Sequence, residues 1–188
     1  MRIRAGTSLP HVAAAVAAAL GRAGVDAVLT GGACAALFTD GSYQSFDLDF
    51  VLRSPAKQGV VDGALAPLGF RRLRDRYVHP HSPFFVEFPA GPLGIGRDLD
   101  IRPTSLRIGR TRFLALSPTD SCRDRLAAYY HWDDGPSLEA AVEIAVRHPV
   151  DLKGIRAWSA DEGAADGFAR FRKALRRRDA RPVPPRRR

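Results

Sequence analysis

Ser45-Phe46-Asp47-Leu48-Asp49-Phe50-Val51-Leu52 is the stretch on which the reading of this chain turns. An extended segment sends alternate side chains to opposite faces, so Asp47 and Asp49 share one face while Leu48, Phe50 and Leu52 take the other. The apolar face predicts a strand laid on a core. On the polar face two carboxylates stand about 6.6 Å apart along the backbone, and acids that close repel and are depleted from strands unless something compensates them. A divalent cation is the natural compensation. Hard ions such as Mg²⁺ take carboxylate oxygens together with the phosphate oxygens of a substrate.

Upstream, Val25 to Thr30 is a short apolar run bounded by Gly24 and Gly31 and reads as a buried strand. Gly31-Gly32 follows, then the Ala- and Leu-rich Ala33 to Phe38, which reads as a helix broken at Thr39-Asp40-Gly41. Glycines at a strand-to-helix junction let backbone approach an anion closely, and the helix start offers unpaired N–H groups to phosphate. Earlier still, Ser8 and Pro10 open an Ala-rich helix that stops at Gly21 or Gly24.

Downstream, Val61 to Leu68 predicts a short helix, Phe70 to Val78 and Phe84 to Phe88 a strand pair, and Gly91 to Gly96 a loop. Further strands are expected near Leu99 to Arg102 and Thr111 to Leu116. Ser117-Pro118-Thr119-Asp120 is a helix start, with a capping Ser, Pro at the first helical position and an acid three residues on. Helices are expected over 118–132, 136–147 and 160–178, the last behind Ser159 and Glu162. The expected organisation is α+β: a mixed-sheet core over 1–116, a helical region over 117–178, and a basic Pro/Arg tail over 179–188.

The 188 residues carry a net charge of +9, yet 1–169 balance their acids and bases, and the excess sits in ten basic residues from Arg170 onward against the single acid Asp179. Such a block attracts polyphosphate or RNA through counterion release, and is also what a solvated helix end with a disordered tail looks like. A hydrophobic content of 45% supports a packed core and excludes wholesale disorder. No stretch approaches the apolar length of a bilayer span, and the run Val12 to Leu20 has too weak a basic flank for a signal peptide. A soluble cytoplasmic protein with no membrane partner is expected, with Cys34 and Cys122 as buried free thiols.

With Gly31-Gly32 followed by Ser45-Phe46-Asp47-Leu48-Asp49-Phe50, the chain resembles the nucleotidyltransferase superfamily related to DNA polymerase β. Within it, the chain is similar to the small bacterial AbiEii/AbiGii toxin-like proteins. The motif covers about 22 residues, and the order of elements from 9 to 116 agrees with it. The 14 residues between Gly32 and Asp47 are long for the family, with Thr39 to Gln44 as an apparent insertion. The resemblance implies a metal-dependent enzyme that moves an NMP from an NTP, for example ATP, to a hydroxyl acceptor. Mg²⁺ (or Mn²⁺) would be the cofactor, an RNA or tRNA end or a protein side chain the acceptor, and a cognate antitoxin a partner if the chain belongs to a toxin–antitoxin or phage-defence system.

On that resemblance Asp47 and Asp49 are catalytic metal ligands, and Gly31, Gly32 and Ser45 bind nucleotide phosphates. A third carboxylate is implied on a later strand: Glu87, in Phe84-Phe85-Val86-Glu87-Phe88, or the competing pair Asp98 and Asp100. Glu87 is favoured for its more hydrophobic strand. Asp124 and Arg125 resemble a nucleotide-contacting or site-bracing position. Arg72, Arg74 and Arg76 alternate as if along one strand face, which is either simply solvated or steers triphosphate or an RNA acceptor, while Tyr129 to Trp132 offer rings for a base or simply core packing. The rival reading is a non-catalytic module of the same fold that binds nucleic acid or a partner protein through its basic C-terminus.

Overall fold

The computed structural model describes residues 3–179. The basic stretch 179–188, apart from the backbone of Asp179 at the end of the last helix, lies outside the described residues.

Among the described residues seven strands form one mixed sheet: β1 (Ala27–Thr30), β2 (Asp47–Leu52), β3 (Arg71–Leu73), β4 (Arg76–Val78), β5 (Phe85–Glu87), β6 (Thr104–Ile108) and β7 (Thr111–Ala115), in the order β3-β4-β5-β2-β1-β7-β6. The β1–β7 and β2–β5 pairs are parallel and the other four antiparallel. The helices are α1 (Leu9–Arg22), α2 (Gly31–Phe38), α3 (Gln58–Leu65), α4 (Pro118–Trp132), α5 (Gly135–Arg147), α6 (Leu152–Asp161) and α7 (Ala165–Asp179). The α+β class and mixed sheet expected from the pattern are what the chain forms.

Alternation along β2 decides which side of the sheet is core. Leu48 and Phe50 are fully buried and share their face with Leu29, Val86 and Tyr77, their partners or same-face neighbours in the register. α1 and α3 pack together on that face, and Gln58 and Asp62 of α3 each meet the Tyr77 hydroxyl at 2.5 Å. The opposite face carries Asp47, Asp49 and Val51. The chain from Pro89 to Arg102 runs across it without regular structure, and Gly91 lies against Val51.

Three sequence expectations are corrected. Phe70 to Val78 is not one strand but the tight hairpin β3–β4, turned at Arg74, whose φ is +60°. Leu99 to Arg102 is irregular, and the strand lies at Thr104–Ile108, past Pro103; Asp98 and Ile95 pair backbone to backbone and Asp98 is held by Arg123, which takes the segment out of the ladder. The helix expected over 160–178 is two helices. Asp151 caps α6 by accepting from the Lys153 and Gly154 amides, Ser159 is buried inside it, and Gly163, at φ +74°, separates it from α7.

The start of α4 agrees with expectation: the Ser117 hydroxyl accepts from the Asp120 amide at 3.0 Å and donates to its carboxylate at 2.7 Å. Replacing a capping Ser by Ala costs about 1 kcal/mol, which for a chain of this size is about 2–4 °C in Tm. Ser117→Ala is therefore expected to melt a few degrees below wild type by circular dichroism; an unchanged Tm would contradict the cap.

Candidate active site

The parallel pairing of β2 with β5 sets Asp47 opposite Phe85 and Asp49 opposite Glu87. Paired residues share a face, so three carboxylates converge, and one oxygen from each of Asp47, Asp49 and Glu87 lies within 4.8 Å of the others. All three side chains are half-buried. Burial pushes the Asp49 carboxyl up to about 7, and the charges of Asp47, Glu87 and Asp124 push the same way, against Arg125. Three hard oxygen donors at this spacing are within a small adjustment of the 2.0–2.1 Å ligation of Mg²⁺ and suit a pair of ions about 3.5–4 Å apart. The donor set therefore fits the metal that the sequence implies.

The glycines are explained by the same cluster. β1 passes into α2 with no intervening residue, and Gly31 takes a φ of +64° at the junction. A Cβ there would overlap the Asp49 carboxylate, so only glycine permits that carboxylate to lie over the helix start. A Cβ on Gly32 would come within 2.6 Å of the Ser45 hydroxyl, which donates to the Asp47 carboxylate and to the Asp47 carbonyl at 3.3 Å. Ser45 thus orients Asp47 while standing beside the α2 N-terminus.

Asp124 and Arg125 are brought into the same neighbourhood. Arg125 grips Asp124 Oδ2 from Nε at 3.0 Å and Nη2 at 2.7 Å, and its Nη1 donates to Tyr43 at 3.3 Å and Ser137 at 3.4 Å. Burial works against this guanidinium, but Asp124 and the Tyr43 hydroxyl outweigh it and hold its pKa above the ordinary value. Asp49, Gly31, Asp124 and Arg125 line a cleft of about 440 Å³ whose far wall is the segment Pro89 to Gly96 and whose mouth carries His131 and Trp132. Trp132 is 77% exposed, whereas Tyr129 is buried. A larger cleft, of about 880 Å³, lies on the other side of the 42–44 loop against α5 and α7, but the carboxylate cluster does not line it.

Asp98 and Asp100 do not join the cluster. Asp98 is bound to Arg123 at 2.5 Å, whose hydrogen bond holds its carboxyl below the ordinary range, and Asp100 is exposed beside Arg102. Glu87 is the acid that meets the pair. Arg76 sits directly opposite Glu87 on β4, 3.9 Å from its carboxylate and over the Phe85 ring at 4.8 Å. Arg72 lies on the other face with Tyr77, and Arg74 is in the turn, so the three arginines do not share a face as the sequence suggested. Tyr43 and the Pro89 to Gly96 wall were not singled out from sequence. The aromatic at the end of the 39–44 insertion was the one signal for Tyr43. Cys34 and Cys122 are buried free thiols as expected, and burial pushes Cys34 up to about 12. No helix among the described residues is long and apolar enough to cross a membrane.

No family model and no curated protein matches the chain by sequence. Among solved structures it is similar to an antigenic nucleotidyltransferase-like protein from Paracoccidioides brasiliensis, at 19% identity over 72% of this chain and 74% of that one, with a TM-score of 0.55. Two structures of ANT(2'')-Ia also match. The solution structure of this antibiotic-resistance factor has 12% identity, covers 88% of this chain and 90% of that one, and gives a TM-score of 0.48. The crystal structure in complex with adenylyl-2"-tobramycin has 14% identity, covers 93% and 100%, and gives 0.46. At these identities the likeness is one of fold, and on the first of them the architecture is nucleotidyltransferase-like.

A carboxyl raised to about 7 in the folded protein, from about 4 when unfolded, gives stability that is present below pH 4 and lost as pH rises through 7. In EDTA, Asp49→Asn is therefore expected to melt close to wild type near pH 4 and about 4 °C or more above it near pH 8. Parallel Tm-against-pH curves for the two proteins would contradict the raised carboxyl.

Proposed function

We propose that the protein is a metal-dependent nucleotidyltransferase that moves an NMP from an NTP to a hydroxyl acceptor and releases pyrophosphate. The observation that carries this reading is the convergence of Asp47, Asp49 and Glu87 beside the α2 N-terminus. Asp47 and Asp49 would hold two Mg²⁺ or Mn²⁺ ions, with Glu87 sharing one. Bound there, divalent ions supply charge neutralisation for the triphosphate and for the oxygens of an in-line displacement.

The chain's own groups then have distinct tasks. The unpaired amides at Gly31 and Gly32 hold phosphate oxygens, and the Ser45 hydroxyl, whose one proton goes to Asp47, stands beside them. Ser45 also keeps the Asp47 carboxylate turned toward the cluster, and the Arg125–Asp124 pair braces the wall of the cleft that takes the nucleoside. The acceptor oxygen attacks the α-phosphorus, the bond to the bridging oxygen of pyrophosphate breaks, and the acceptor proton passes to Glu87. No covalent enzyme intermediate is required, because positioning and preorganised charge supply the rate.

The resemblance to the AbiEii/AbiGii toxin-like proteins extends this reading to a toxin–antitoxin or phage-defence role in the cytoplasm, with an RNA end or a protein side chain as acceptor and a cognate antitoxin as partner. The decisive assay incubates the protein with each α-labelled NTP, Mg²⁺ and total RNA or cell lysate. Transfer is expected with wild type and is expected to fall by roughly 10³-fold or more in Asp47→Ala/Asp49→Ala, a loss of about 4 kcal/mol of transition-state stabilisation. Transfer that survives the double substitution, or its absence with every NTP in wild type, would refute the assignment.

A further inference from the structure

The face that carries the three acids continues past Glu87 onto β4 and β3. Arg76 is opposite Glu87, Leu73 is opposite Arg76, and Arg71 lies two residues before Leu73, so all three share the face of the acids. α3, the helix that contacts β3, lies on the other side with Tyr77. Leu73 is 50% exposed, and Arg71, Arg74 and Arg76 are exposed, with Asp75 as the single acid in the hairpin. A face that is acidic at β2 and β5 thus becomes cationic and apolar at β4 and β3. Exposed Leu and Arg on an edge hairpin serve no core.

We propose that this arginine-bearing half of the face binds a single-stranded RNA whose terminal hydroxyl reaches the carboxylate cluster. Guanidinium forks match phosphate oxygens, and their planes, like apolar side chains, offer a surface to unpaired bases. Arg76, stacked on Phe85 and next to Glu87, stands where the last phosphodiester would enter, Arg71 stands further out on the same face, and Arg74 lies in the turn at the end of the hairpin. Strands lie about 4.8 Å apart, so β3 is about 10 Å from β5, a distance that the last few nucleotides of an extended strand cover. A cationic acceptor is disfavoured on the same face. The inference rests on the transferase reading only for the strand end being the acceptor; the binding itself is independent of it.

The experiment measures fluorescence anisotropy of a labelled single-stranded RNA of about 12 nucleotides with the full chain in EDTA, across a salt series from about 50 mM. Wild type is expected to bind. Arg71→Glu/Arg74→Glu, whose fold is checked by its melting curve, is expected to bind at least tenfold more weakly, with a salt slope shallower by about 1.4 for two lost phosphate contacts. Asp47→Asn/Asp49→Asn is expected to bind RNA at least as tightly as wild type, since two negative charges leave the same face. Absence of binding by wild type at the lowest salt, unchanged affinity in the arginine double variant, or equal affinity for duplex RNA would overturn the proposal. Transfer activity retained by Asp47→Asn/Asp49→Asn while RNA binding still depended on Arg71 and Arg74 would remove the catalytic reading and leave this one standing.

Discussion

Three carboxylates whose oxygens lie within 4.8 Å of one another repel, and the rest of the site is arranged around that repulsion. The β2–β5 ladder enforces it, because pairing Asp49 with Glu87 leaves neither acid a way off the face. Arg76 and Arg125 offset part of the charge from either side, yet the Asp49 carboxyl is still driven up to about 7. A chain selected for stability alone would place an apolar or neutral residue at Asp49. An acid at this place, on a strand whose other face is fully packed, costs stability unless a cation compensates it, which is the basis of the proposed function.

The surroundings follow from that cluster. Gly31 is needed because the Asp49 carboxylate occupies the space of its missing Cβ, and Gly32 because Ser45 does. α2 begins directly at the end of β1, so its unpaired amides open beside the acids. Arg125 then links α4 to the 39–46 loop through Tyr43 and to α5 through Ser137. On the β1 side the cluster adjoins, through Asp49, the cleft walled by Pro89 to Gly96 and α4; on the β5 side it opens onto the hairpin with its arginines. That asymmetry gives two different approaches to one centre.

The parts legible in the sequence are those where a local rule and the tertiary structure agree. Period-two alternation placed Asp47 and Asp49 on one face and Leu48 and Phe50 on the other, and the large apolar neighbours of Glu87 marked it over Asp98 and Asp100. The failures have the opposite character. Alternation read through Arg72, Arg74 and Arg76 crosses a turn in which Arg74 takes a left-handed conformation, so spacing in sequence ceased to mean a shared face. Leu99 to Arg102 has strand-like alternation, but the Arg123–Asp98 ion pair and the Trp158 indole N–H donated to the Ile95 carbonyl pin the preceding chain elsewhere. Tyr43 acquires its place from Arg125, 82 residues away, which no local pattern reveals.

The central claim, that these acids are held together for cations and nucleotide, is tested most directly by Mn²⁺ binding followed by electron paramagnetic resonance, with and without a non-hydrolysable NTP. Wild type is predicted to take up Mn²⁺ with an affinity that rises as pH is raised through about 7. Nucleotide is predicted to tighten that binding, and Asp47→Asn/Asp49→Asn to abolish both effects. Mn²⁺ uptake that is the same in the double variant, or that ignores nucleotide, would contradict the account.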